Sequence, residues 1–278
     1  MNETNPLSRR ILLRAAALAA GGAVLTLPED PADAQENPYA PFRMGIQSYS
    51  LRGYNLDQAL EETQKLGLRY WESFNAHLPF SPEEATVKAQ KERLAAARIR
   101  VLAYGVVPFG SNTEANRQLF EGAKALGIPT LSADPAPESM DQLEKLVEEF
   151  RINIAIHNHG PRHRYGSLQS CVDAVKGRHE RIGVCVDTGH FLRSSENPVK
   201  VIETLGTRVL GVHLKDVKDA RVFTIVGKGD LDVVGTLRAL KALSYRHLVA
   251  LEYEENPRNP IADIQECLAA VRAAAQKL

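Results

Sequence analysis

The sequence predicts an α/β chain closed into a (β/α)₈ barrel, and three features predict it. From about residue 43 onward, short apolar runs alternate with amphipathic stretches, eight of each. Such alternation implies parallel strands joined by helical crossovers. The eight pairs span about 235 residues, close to the roughly 250 usual for this barrel. An open doubly wound sheet would carry a glycine-rich phosphate loop after its first strand. The stretch there reads QSYSLRGYN instead.

The strands are expected at 43–49 (RMGIQSY), 68–73 (LRYWES), 99–105 (IRVLAYG), 129–133 (PTLSA), 152–158, 181–187 (RIGVCVD), 208–214 (RVLGVHL) and 247–252 (HLVALE). The helices are expected at 55–66, 82–98, 114–126, 138–150, 167–177, 197–205, 231–243 and 261–277. In SMDQLEKLVEEF and DLDVVGTLRALKAL the apolar residues recur with a period of 3.6, which lines one helix face.

The first 35 residues read differently. Arg9 and Arg10 precede an apolar run, and an A-x-A pattern follows at Ala32–Ala34. These are the marks of a twin-arginine-type signal peptide, so export to the periplasm and release as a soluble protein are expected. The run is short and carries Arg14, which argues against a stable membrane span. Residues 36–42 would be a short linker and 43–278 the catalytic barrel.

Lys plus Arg number 34 and Asp plus Glu 34. No basic patch and no interleaving of basic with aromatic residues points to a nucleic-acid partner. Cys171, Cys185 and Cys267 are too few and too scattered for a disulfide framework, so the core must supply the stability.

Strand parity locates the chemistry, because side chains alternate faces along a strand. In INIAIHNHG, Ala155, His157 and His159 share one face and Ile154 and Ile156 the other. Gly183, Cys185 and Asp187 oppose Val184 and Val186; Gly211 and His213 oppose Val212 and Leu214; Ala250 and Glu252 oppose Val249 and Leu251. Four successive strands thus turn branched residues outward and small ones inward, leaving space beneath a polar residue at the C-terminal end. Barrel active sites lie at that end. Singly, each residue has an ordinary explanation: a hydrogen-bonded histidine, a helix-capping aspartate, a solvated acidic edge. In register, His157, Asp187, His213 and Glu252 make a mixed nitrogen and oxygen ligand set. It suits one divalent ion, Mn²⁺ first, with Zn²⁺, Co²⁺ or Fe²⁺ as alternatives. Four ligands leave the remaining positions to water or substrate, an open catalytic arrangement.

The motifs VDTGH, VHLKD and LEYE on strands six to eight resemble those of the xylose isomerase-like TIM barrel superfamily, the sugar phosphate isomerase/epimerase family. The resemblance covers about residues 43 to 278. It implies that Asp187, His213 and Glu252 bind a divalent metal and that His190 hydrogen-bonds substrate. Many epimerases of the superfamily carry a glutamate on strand five where this chain has His157, so a symmetric two-glutamate epimerisation is in doubt. The HNHG form, with SADP on strand four and GKGDLD after strand seven, resembles an exported subgroup with members that cleave 3-keto-glycosides.

The implied chemistry is proton abstraction beside a carbonyl that the metal polarises. His159 is the favoured base, since neutral imidazole has a suitable pKa; its ordinary role would be to orient a ligand. Glu72, ending strand two in YWESF, is the other candidate. His77 and Lys228 are candidate substrate contacts, the latter in a glycine-flanked loop. His163 belongs to a rim or a solvated loop, and parity turns Trp71 outward into packing. The expected function is elimination of the aglycone from a 3-keto-glycoside. The alternatives are a ketose epimerase or isomerase, dehydration of a keto-cyclitol, and a non-catalytic carbohydrate-binding protein.

Overall fold

The computed structural model describes residues 37–278, and residues 38–278 form one compact unit. The expected signal segment, with Arg9, Arg10 and Arg14, lies outside the described residues. Strands β1 (Arg43–Gln47), β2 (Tyr70–Ser73), β3 (Arg100–Phe109), β4 (Thr130–Pro135), β5 (Asn153–His157), β6 (Ile182–Asp187) and β7 (Val209–Leu214) all belong to one sheet, as does β10 (Leu248–Leu251). These eight close into a barrel in the order β1-β10-β7-β6-β5-β4-β3-β2, every neighbouring pair parallel. β8 (Asp216–Lys218) and β9 (Val222–Thr224) form a separate antiparallel hairpin. Helices α1 (Leu56–Lys65), α2 (Glu84–Ala96), α3 (Thr113–Leu126), α4 (Met140–Phe150), α5 (Leu168–Val175), α7 (Pro198–Leu205), α8 (Val233–Ala242) and α9 (Ile261–Ala275) correspond to the eight expected helices.

The outward residues of the parity pattern are the core between barrel and helices. Ile154, Ile156, Val184, Val186, Val212, Leu214, Val249 and Leu251 are all 1% exposed or less. Each such side chain contributes about 1.5–3 kcal/mol on burial, which fixes the register and therefore the inward set. Trp71 is outward as well, donating from Nε1 to Thr63 Oγ1 of α1 at 2.9 Å.

The inward small residues do not leave open space. A Cβ on Gly183 would run into the Arg208 carbonyl, and one on Gly211 would stand 3.1 Å from Cys185 Sγ. Neighbouring strands and side chains already fill that volume. Tyr39 and Phe42 are buried in the core, so packing begins inside the stretch expected as a linker. All three cysteines are buried and free. Among the described residues, no helix is long and apolar enough to cross a membrane.

Besides short 3₁₀ turns at Ser48–Leu51 and Gly206–Arg208, a helix and a hairpin have no counterpart in the expected pattern. Helix α6 (Thr188–Arg193) is too short to display a period and starts directly at the end of β6. The β8–β9 hairpin has three-residue strands, and its turn holds Asp219 and Ala220 at φ 54° and 50° without a glycine to announce it.

Candidate metal centre at the barrel mouth

VDTGH shows how the local sequence builds the site. Asp187 divides its two oxygens between two tasks. Oδ1 accepts from the His190 amide at 2.7 Å and caps α6, while Oδ2 faces His157 Nε2 at 3.4 Å. Thr188 Oγ1 accepts from the Lys215 amide at 2.9 Å and donates to the Lys215 carbonyl at 2.6 Å, tying α6 to the end of β7. Gly189 makes room, since a Cβ there would lie 2.8 Å from Lys215 Cγ. Asn158 extends the β5–β6 pairing with its side chain: Oδ1 accepts from the Asp187 amide at 2.7 Å and Nδ2 donates to the Asp187 carbonyl at 3.1 Å.

His157, Asp187, His213 and Glu252 converge with one ligand atom each, all within 4.8 Å of one another. His157 Nε2 is 3.0 Å from His213 Nδ1 and 3.4 Å from Asp187 Oδ2. His213 Nδ1 is 3.0 Å from Glu252 Oε2 and 3.9 Å from Asp187 Oδ2. Ligands about 2.1 Å from one tetrahedral cation stand roughly 3.4 Å apart, so these spacings fit a shared ion. Asp187 Oδ2 and Glu252 Oε2 are buried, and both face the Lys215 ammonium, at 3.1 and 2.8 Å. Two imidazole lone pairs that close repel unless a proton or a cation lies between them. The two-imidazole, two-carboxylate donor set, at these spacings, therefore fits a divalent ion.

Glu72 does not stand free at the mouth. Its Oε2 is 2.9 Å from His213 Nε2, off the line of an ideal hydrogen bond, and its Oε1 accepts from Gln47 Nε2 at 2.9 Å. Carboxylate and imidazole are both buried, with Glu72 three strands away around the barrel. With an ion on Nδ1, the proton of His213 would sit on Nε2 beside this carboxylate, as in carboxylate–histidine–metal arrangements.

Lys215 is a residue the sequence reading missed, although parity sets it on the His213 face. It is 2% exposed, with Nζ 3.1 Å from Asp187 Oδ2, 2.8 Å from Glu252 Oε2, and paired to Glu254. Burial alone would raise the Asp187 carboxyl, but the Lys215 ammonium, foremost among its neighbours, outweighs it and holds Asp187 well below its ordinary range. Burial likewise opposes charge on His213, while the surrounding acidic groups overcome it and raise its pKa well above the usual.

His159 and His190 flank the ligands. Burial lowers both to about 4, in His190 against the opposing pull of Asp187, and leaves them neutral near pH 7. The His159 ring is 4.6 Å from that of His157 and 5.6 Å from that of His190. Arg193 Nη1 is 3.1 Å from His190 Nδ1. Arginine always carries its protons, so His190 Nδ1 accepts and Nε2 keeps the hydrogen as a donor. Phe223 on β9 covers this corner, edge-on to His190 at 5.5 Å and 4.9 Å from Lys215 Nζ.

His77 and Lys228 stand outside this cluster. His77 stacks on the outward Trp71 at 5.7 Å and its Nε2 is 3.1 Å from the Tyr54 carbonyl, so its contacts are those of loop packing. Lys228 is half exposed and paired with Glu266 of α9. Its loop is held by buried Asp216, which accepts backbone N–H groups from Val217, Gly227, Gly229 and Leu231. Loop residues escape parity, so nothing in the local pattern revealed where these two would point.

With this geometry in view, a family model described as xylose isomerase-like TIM barrel matches residues 60–273, well over half of the chain. The chain belongs to that family. Its sequence relatives include the inosose dehydratase of Clostridium botulinum, 22% identical over 232 residues, covering 74% of this chain and 76% of that protein. The rhizopine catabolism protein MocC of Rhizobium meliloti is 28% identical over 137 residues, 42% of each chain. Among solved structures, an uncharacterised protein from Parabacteroides distasonis superposes with a TM-score of 0.65 at 27% identity, covering 82% of this chain and 97% of that one. The zinc-bound IolI protein gives 0.71 at 18% identity, covering 85% and 99%, a likeness of fold.

Proposed function

We propose that this chain is a divalent-ion-dependent lyase acting on an oxidised carbohydrate, and that it expels the aglycone of a 3-keto-glycoside. The observation that carries this reading is a neutral histidine, His159, beside a buried two-imidazole, two-carboxylate ion site with the His190 N–H next to it. Bound at His157, Asp187, His213 and Glu252, a divalent ion would polarise the substrate carbonyl and stabilise the charge that develops on its oxygen. His159 takes the proton from the carbon beside that carbonyl. The electron pair left behind forms a carbon–carbon double bond as the carbon–oxygen bond to the aglycone breaks, and the departing oxygen takes up a proton. His190 Nε2–H binds a substrate oxygen and orients the sugar.

The inosose dehydratase relatives support elimination, since a dehydratase expels water by the same kind of bond cleavage. The two-carboxylate route of an epimerase fits less well, because strand five offers His157 and Glu72 is engaged by His213 and Gln47. The test is incubation of the ion-loaded protein with a 3-keto-glycoside, with a keto-cyclitol and with ketohexoses, each in deuterated water. Aglycone release is the expected result. Loss of water from the keto-cyclitol alone would make the chain a dehydratase. Deuterium uptake without cleavage would make it an epimerase or isomerase, and tight sugar binding with no reaction a binding protein.

A further inference from the structure

A second group of ligating side chains lies on the same rim, outside the four-residue site. Asp134 is the last but one residue of β4, His159 follows β5, and His163 sits in the turn after it. Their ligand atoms all lie within 4.8 Å of one another. His163 Nε2 is 3.2 Å from Asp134 Oδ2, and the His159 and His163 rings are 4.4 Å apart. His159 Nδ1 and Asp134 Oδ1 are buried with no hydrogen-bond partner. The unpartnered His159 nitrogen, in a cluster with an anionic carboxylate and a second imidazole, calls for a partner that a cation would supply. The Tyr165 amide is 3.4 Å from His163 Nδ1, which leaves Nε2 as the nitrogen turned to the cluster.

We infer that Asp134, His159 and His163 form a second divalent-cation site, weaker than the first and beside it on the barrel rim. Two imidazoles and a carboxylate suit the same borderline ions, and three protein ligands leave positions for water. Three features make the site weaker. It has three ligands against four, it is only half-buried, and Arg164 Nε stands 3.5 Å from Asp134 Oδ1 and competes for its charge. One consequence rests on the function proposed above: a cation on His159 Nδ1 removes that ring from proton abstraction, so excess ion slows turnover.

The test needs no substrate, so its outcome is independent of the lyase reading. The apoprotein is titrated with Co²⁺, and bound metal is read by equilibrium dialysis and by visible absorption. Wild type is expected to take up two equivalents, one tight and one weak. Asp134→Asn and His163→Gln, each verified as folded by circular dichroism, are each expected to keep the tight equivalent and lose the weak one. A single equivalent in wild type overturns the inference, as does a second equivalent that survives both substitutions.

Discussion

Replacing Glu72 with glutamine is the sharpest test of how the ion site is built, because the structure leaves the new amide no satisfactory orientation. In the native chain Glu72 faces two donors. Gln47 Nε2 donates to Oε1 at 2.9 Å, and His213 Nε2, which carries the proton once an ion occupies Nδ1, stands 2.9 Å from Oε2. An amide has one oxygen and one NH₂ group. Whichever way it is turned, its NH₂ meets a donor. Gln47 cannot relieve this by flipping, since its Nε2 also donates to the Gly105 carbonyl and its Oε1 accepts from the Tyr49 amide. One buried group is left unsatisfied, at a cost of about 1–3 kcal/mol. Loss of the carboxylate that orients a ligating histidine weakens metal binding by about 10–100-fold. Both effects are read on purified Glu72→Gln, the first by urea denaturation and the second by calorimetric titration with Mn²⁺ or Zn²⁺. A variant with native stability and native ion affinity but no turnover would return Glu72 to the role of a base and refute the positioning argument.

Three further outcomes are expected. Asp216→Asn places an amide NH₂ against two of the four backbone N–H groups that Asp216 accepts, and it should destabilise the fold by about 3 kcal/mol in chemical denaturation. Stability of the ion-free protein should fall as pH drops from 6.5 to 4. Burial, with Arg43 adding to it, lowers His247 to about 4, so in that window the unfolded chain binds a proton that the folded one refuses. The loss from His247 is at most about 3 kcal/mol, and His247→Gln should flatten the slope of denaturation midpoint against pH. Export, proposed from the paired arginines, is checked by fractionating cells that produce the Arg9→Lys, Arg10→Lys double variant. Its retention in the cytoplasm is expected, and undiminished periplasmic protein would count against the twin-arginine route.

The sequence by itself determined the barrel and the four convergent residues. Both follow from short-range periodicity: helices repeat every 3.6 residues and strands every two, and burying one strand face fixes what the other face presents. His157, Asp187, His213 and Glu252 were legible for that reason, and Lys215 carried the same parity signal unread. What Glu72 touches was decided only by closure of the barrel, which brings β2 within reach of β7 across the interior. The same holds for the loops. His77 and Lys228 read as contacts of a substrate, yet Trp71 and Glu266 engage them, because no period governs a loop and its side chains go where the packed elements leave room. Asp134 and His163 meet His159 only because β4 and β5 lie side by side, a juxtaposition invisible along the chain.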